Sequence, residues 1–387
     1  MKKRTIWTIA SIMGFSFLAL LFLQLKYIQE MVDMKKEQFD ESVNRALYQA
    51  SRNLELNETL RYLEKDVNET ERRAFKKDSL GTRTGKLDGS IQQSHQYSVT
   101  GKDGTIYFGT EGTGTVKAVS PAGVLKWSTK LAKACKAAPA VTSTGIVYAL
   151  DDAGTLYSIK ASDGSINWKA TQSGAAGSVV VDAEGNVYIG TAKGIWSYTE
   201  GGKLRWTGPT VKVTERGGSM AIHNGVLYAA LKGKGGVVAV DMTTGTQKWA
   251  YASSVGDCYN PVVTSDGTVI FVEKAGSVYA VKANGTLKWK TPVSSYIYTG
   301  AVAGADGYIY VNQYVSPFSV LKIAADGSVS EAFNIGKQTM SPIVIGPDQR
   351  IYYSTNGSIG AQSVGTNAAT AGWPLHGFNL QSTNSLK

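Results

Sequence analysis

The chain has 387 residues, 43 of them Gly, with 20 Tyr and 8 Trp against 9 Pro, 3 His and 2 Cys. Glycine this far above the usual ~7%, with no three-residue period and an ordinary 43% hydrophobic content, excludes collagen-like and disordered chains and signals many turns. Two cysteines exclude a disulfide framework or a four-cysteine zinc site, and the formal charge of +10 is spread too thinly along the chain for a nucleic-acid stripe.

Residues 1–4, Met1-Lys2-Lys3-Arg4, precede an uncharged run rich in Ile, Leu and Phe over 5–25. At about 1.5 Å per residue that run reaches roughly 30 Å, enough to cross a bilayer core. The small residues that suit a signal peptidase are missing after it, so an uncleaved signal anchor is predicted. The basic start places residues 1–4 in the cytoplasm as a short tail and exports the chain from about residue 26 onward. This predicts a single-pass protein of a bacterial inner membrane with its C-terminal domain in the periplasm. No Cys near the end of the run offers a lipid acceptor.

Over 26–77 the composition turns to Glu, Lys, Arg, Gln, Asn and Leu, with no Gly and no Pro. Ile28, Val32, Phe39, Val43, Ala46, Leu47, Ala50 and Leu54 draw one apolar stripe at helical spacing. A helical stalk or coiled coil that pairs with a second copy is predicted, so a homodimer is expected; an amphipathic helix resting on its own domain is the alternative. The start, the span and the segment Met34-Lys35-Lys36-Glu37-Gln38-Phe39-Asp40-Glu41-Ser42-Val43 with Ala46-Leu47-Tyr48 together resemble the anchor and stalk of membrane sensor histidine kinases of Bacteroides-type bacteria. Kinase catalysis does not follow, because the three histidines, at 95, 223 and 376, lie outside any helix-forming stretch. Residues 78–95, with Gly81, Gly85, Gly89 and Ser90, read as a flexible linker.

From 96 to 376 the chain repeats. A Gly leads into an aromatic at Gly104/Tyr107, Gly145/Tyr148, Gly185/Tyr188, Gly225/Tyr228, Gly267/Phe271 and Gly307/Tyr310, with Gln349/Tyr352 as the seventh. Trp127, Trp168, Trp206, Trp249, Trp289, Phe333 and Trp373 form a second series in phase with the first, at about forty residues per cycle. Within one cycle, segments such as 138–142, 146–150, 155–159 and 165–168, with period-two alternation and separated by Gly-containing turns, predict four short strands. Seven such units describe an all-β, seven-bladed propeller of four-stranded blades. Residues 377–387 form a C-terminal tail.

Ala118 through Gly123 to Trp127, Ala239 through Gly245 to Trp249 and Ala280 through Gly285 to Trp289 resemble the tryptophan-docking motif of the PQQ-like (quinoprotein and BamB-like) β-propeller proteins. The resemblance implies that each Trp packs between neighbouring blades, so this series is structural. The sixth repeat departs with Phe333 and an insertion at 314–318; the seventh lengthens its last turn over 366–371.

Positions that vary between repeats are the site candidates. The connections between blades end beside the central channel in a propeller and carry His95, Gln96 and Tyr97; Cys135 and Lys136; Gly174; Glu215, Arg216 and Gly217; Asp257, Cys258, Tyr259 and Asn260; Tyr296 and Tyr298; Lys337, Gln338 and Met340. Aromatic, cationic and amide groups converging there suit a protein partner or a glycan or peptide ligand. Cys135 and Cys258 lie three blades apart, so two separate free or buried thiols are expected. The quinoproteins of this resemblance carry an adjacent cysteine pair and a calcium-binding carboxylate set; no adjacent cysteines exist here, so no cofactor, metal or catalytic residue is expected. The sequence therefore predicts a non-catalytic, membrane-anchored binding or assembly scaffold. Its alternatives are a ligand-sensing ectodomain on a kinase-like stalk and, less favoured, a PQQ-dependent dehydrogenase.

Overall fold

The computed structural model describes residues 98–369 except Glu111, 215–219, Lys234, 254–255, Ser295, Tyr298, 340–341, Pro347 and 356–357. The predicted cytoplasmic tail, span, stalk and linker lie outside the described residues, as do Trp373 and the C-terminal tail. Among the described residues no helix is long and apolar enough to cross a membrane.

The described residues form seven sheets, six of four strands and one of three, each strand hydrogen-bonded to the next in sequence. All pairings within the sheets are antiparallel, so each sheet is a meander and corresponds to one predicted unit. Blades 1 to 7 span 98–130, 140–171, 176–207, 220–251, 258–292, 302–334 and 344–363. In blade 2 the second strand is Ile146–Leu150, as expected; the third extends to Thr155–Lys160 and the fourth is Ile166–Thr171.

The expected alternation of apolar and polar residues is seen on outermost strands such as Ile166–Thr171 and, in blade 1, on Thr115–Val119. In blades 3 and 5 every residue of the two middle strands is buried: Val187–Thr191 and Gly194–Tyr198, Val269–Glu273 and Ser277–Val281. Those strands are covered on both faces by neighbouring blades, so apolar residues fill most of their positions, with Thr191, Ser197, Glu273 and Ser277 as polar exceptions. One core accordingly runs from Val180 and Tyr188 of blade 3 through blade 4 to Phe271 and Tyr279 of blade 5.

The first glycine series occupies turns with left-handed backbone, for example Gly307 at φ 80°, and Gln349 holds the same conformation at φ 61°. In three repeats the aromatic that comes after it is a Tyr that secures its own turn through an Asp. Tyr188 donates to Asp182 at 2.7 Å, Tyr310 to Asp306 at 2.8 Å and Tyr352 to Asp348 at 2.7 Å. A Tyr serves here because its ring fills the blade while its hydroxyl reaches a partner.

The tryptophans join blades, as the docking motif implies. Trp127 donates its indole N–H to the Ala161 carbonyl of the next blade at 2.9 Å, Trp168 to Glu200 at 2.8 Å, Trp206 to Met242 at 2.9 Å, Trp249 to Ala283 at 2.8 Å and Trp289 to Ala325 at 3.0 Å. Across the sheet each faces a small residue: Ala118, Ser158, Ser197, Ala239 and Ala280 in turn. Phe333 faces Val320 instead and has no N–H to donate. Its ring lies 5.8 Å from that of Tyr353 in blade 7. The lengthened turn after blade 7 ties the same pair of blades through its backbone: Ala305 N–H donates to Asn367 O at 2.8 Å and Ala369 N–H to Ala303 O at 2.9 Å.

Candidate functional site

Strand direction alternates within a blade, so the connections between blades and the loops joining second to third strands lie at one end, here called the connection end. The first-to-second and third-to-fourth turns lie at the other, the turn end. The candidates legible in the sequence come from the inter-blade connections alone; the second-to-third loops supply the rest of the same surface.

Lys136 makes a 2.6 Å ion pair with Asp152 of the second-to-third loop of blade 2. Asp257 accepts the Gly233 N–H from the corresponding loop of blade 4 at 2.9 Å, and its carbonyl accepts the Lys274 N–H at 2.9 Å. Tyr259 and Asn260 lie on Cys258–Val263, the first strand of blade 5, where the register shifts between Tyr259 and Val262. Asn260 is buried with left-handed backbone at φ 38°, and its Oδ1 has no hydrogen-bond partner among the described residues. Gly300, from the next connection, packs so closely on Asn260 that a side chain there would collide with it.

The connection of 293–301 carries Tyr296, whose ring centroid lies 5.5 Å from that of Tyr314, at an interplanar angle of 51°. Lys274 Nζ stands 5.5 Å from the Tyr296 ring centroid, a cation–π distance. Gln338 Nε2 donates to the Tyr314 carbonyl at 3.5 Å, and Lys337 beside it is exposed. Four groups from blades 5 and 6 and from the two connections after them thus meet at one place: Lys274, Tyr296, Tyr314 and Gln338. Sequence reasoning named Tyr296 and Gln338, saw Tyr314 only as part of an insertion, and missed Lys274. The missing signal was the shared end of the two loop classes. His95, Arg216 and Tyr298 lie outside the described residues.

Both cysteines are free, as expected, and both are buried. Cys135 lies against Gly109 of blade 1, and Cys258 Sγ accepts the Gly236 N–H of blade 4 at 2.9 Å. Burial raises the Cys135 thiol to about 12 and the Cys258 thiol to about 11, far from the range of a nucleophilic thiolate. Among the described residues no three His, Cys, Asp or Glu side chains gather as a metal site would require.

Residues 112–320 match the family described as outer membrane protein assembly factor BamB. The solved structure of BamB from Moraxella catarrhalis superposes with a TM-score of 0.57 at 21% identity, covering 68% of this chain and 82% of that one. The C-terminal WD40 domain of Sif2 gives 0.56 at 13% identity over 71% and 82%, and streptogramin B lyase 0.50 at 13% over 72% and 95%. At these identities the structures share the propeller fold alone. The sensor protein RprX of Bacteroides fragilis (strain YCH46) is 51% identical over 107 residues, which are 28% of this chain and 20% of that protein. The chain thus spans about a fifth of that relative's length. A PQQ-like propeller with a sensor-type N-terminus is the combined result.

Proposed function

The chain belongs to the family of the outer membrane protein assembly factor BamB, and from that membership we propose that it is a non-catalytic, membrane-anchored scaffold whose propeller binds a protein partner or cell-envelope ligand at its connection end. The anchor is the apolar run of 5–25, the stalk of 26–77 holds the propeller in the periplasm and pairs two copies, and the inner membrane is the site of action. The observation that carries the reading is the Lys274, Tyr296, Tyr314 and Gln338 group. Aromatic and polar groups from successive blades gather there, at the place where the sixth repeat departs from the rest. Aromatic rings beside cationic and amide groups are what protein interfaces use as anchors. The reading also takes in Lys136, Asp257, Tyr259 and Lys337, the buried Asn260, and, by sequence position alone, His95, Arg216 and Tyr298.

A second reading, a sensing ectodomain that signals through a partner, draws on the identity with the sensor protein. Both readings need the same face and differ in what lies beyond it. The experiment that tests them compares the wild-type chain with a Tyr296→Ser, Tyr314→Ser double variant. Partner capture from native membranes should fall sharply while the melting temperature stays close to wild type. Undiminished capture by a well-folded double variant would refute the connection-end site. PQQ with calcium should neither raise the melting temperature nor support dye reduction; a clear response would favour the dehydrogenase.

A further inference from the structure

The two ends of the propeller differ in charge. Outside the strands, described residues at the connection end include seven lysines and three aspartates, whereas those at the turn end include three lysines and nine carboxylates. Most turn-end carboxylates are engaged within the fold. Asp103 accepts hydrogen bonds from Thr105 and pairs with Lys126 at 3.4 Å; Asp266 repeats this with Thr268 and with Lys288 at 3.5 Å. The connection-end aspartates are engaged as well, Asp151 by Tyr157, Asp152 by Lys136 and Asp257 by Gly233.

The basic excess gathers on blades 3 and 4. Val213 N–H donates to Thr191 O at 3.0 Å and Lys232 N–H to Lys212 O at 2.8 Å, which draws together the backbones carrying Lys193, Lys212 and Lys232. Lys193 and Lys212 are exposed and have no ion-pair partner among the described residues. Further along the same end stands the tyrosine pair of blades 5 and 6.

We infer that the connection end of blades 3 and 4 docks an acidic segment of a protein partner, its carboxylates over Lys193 and Lys212 and its apolar side chains on the Tyr296 and Tyr314 side. The inference rests on the proposed connection-end site and adds the partner's chemistry. A polypeptide fits better than a uniformly anionic surface such as a nucleic-acid backbone, because this end carries cationic and aromatic groups at separate places. A polypeptide places charge of either sign residue by residue.

The test uses the full chain in detergent and fluorescence anisotropy with three probes: an Asp/Glu-rich peptide containing Leu, a Lys-rich peptide of equal length, and a single-stranded DNA oligonucleotide as a uniformly anionic polymer. The acidic peptide should bind, weaken with added salt, lose about tenfold or more in affinity on combining Lys193→Glu with Lys212→Glu, and keep its affinity on the turn-end change Lys203→Glu. The inference is overturned if the Lys-rich peptide binds equally well, if the oligonucleotide binds in place of the acidic peptide, or if the double reversal changes nothing. Lys-rich peptide binding that the Tyr296→Ser, Tyr314→Ser variant abolishes would sink the acidic-partner inference while sparing the connection-end site. Binding indifferent to both double variants would sink the two together.

Discussion

Trp249 of blade 4 donates its indole N–H to the carbonyl of Ala283 in blade 5, 2.8 Å away, and its ring lies against Gly285 two residues further on. A Cβ added to Gly285 would stand 2.8 Å from the ring, at a backbone φ of 86° that side chains rarely adopt. Adhesion between blades thus depends on a donor in one repeat and an absent side chain in the next.

Trp249→Phe should therefore cost about 1–3 kcal/mol, through the lost hydrogen bond and the smaller ring. Gly285→Ala should cost about 1–3 kcal/mol through collision and backbone strain. Because the two residues touch, the double variant should cost less than the sum. Urea unfolding of all three variants measures this; strict additivity would contradict the docking account.

Gln349 occupies the turn position that glycine holds in the other six repeats, with left-handed backbone. Gln349→Gly should stabilise the protein by up to about 1 kcal/mol, since a left-handed non-glycine residue costs ~1–2 kcal/mol and the added glycine returns part of it as chain entropy. Gly307→Gln, the reverse change one blade earlier, should destabilise by about 1 kcal/mol. Thermal melts of the two variants should move in opposite directions.

Cys135 and Cys258 should resist iodoacetamide at pH 8 in the native protein and react fully in denaturant. Burial hides both thiols and raises them to about 12 and about 11. Prompt native labelling at either position would show that the inter-blade packing around it opens.

Acid should weaken the turn end. Burial pulls the Asp266 carboxyl upward, but hydrogen bonds from Thr264 and Thr268 and the charge of Lys288 outweigh it and hold the group well below the ordinary carboxylate range. Asp103 is lowered against the same burial effect, by Thr105 and Lys126. A depressed folded value stabilises the fold above the unfolded carboxylate value near about 4 and loses that contribution as pH falls below it. The melting temperature should drop between pH 5 and pH 3, and the drop should be smaller in Asp266→Asn; equal slopes in the two proteins would remove Asp266 from the account.

The repeat was readable in the sequence because its cause is local and recurrent: each cycle must supply a turn glycine, a ring to fill the blade and a Trp to reach the next one. Gln349 and Phe333 broke the residue pattern without breaking the fold, because backbone conformation and ring position survive the exchange. The alternation expected on the middle strands failed in blades 3 and 5 because burial on both faces is a property of neighbouring blades, which no single strand encodes. The candidate site was only partly readable. Tyr296 and Gln338 stood out as exceptions to the repeat, while Lys274 sits in a turn so short, Lys274-Ala275-Gly276, that nothing in its sequence marks it; only the assembled end brings it to Tyr296.

The central claim, that the connection end is the working face, is tested most directly by a photo-crosslinking residue placed at Gln338 and, separately, at Lys203 on the turn end, in the full chain in its native membrane. The account predicts a discrete adduct with another protein from position 338 and none from position 203. Adducts from 203 with none from 338 would contradict it.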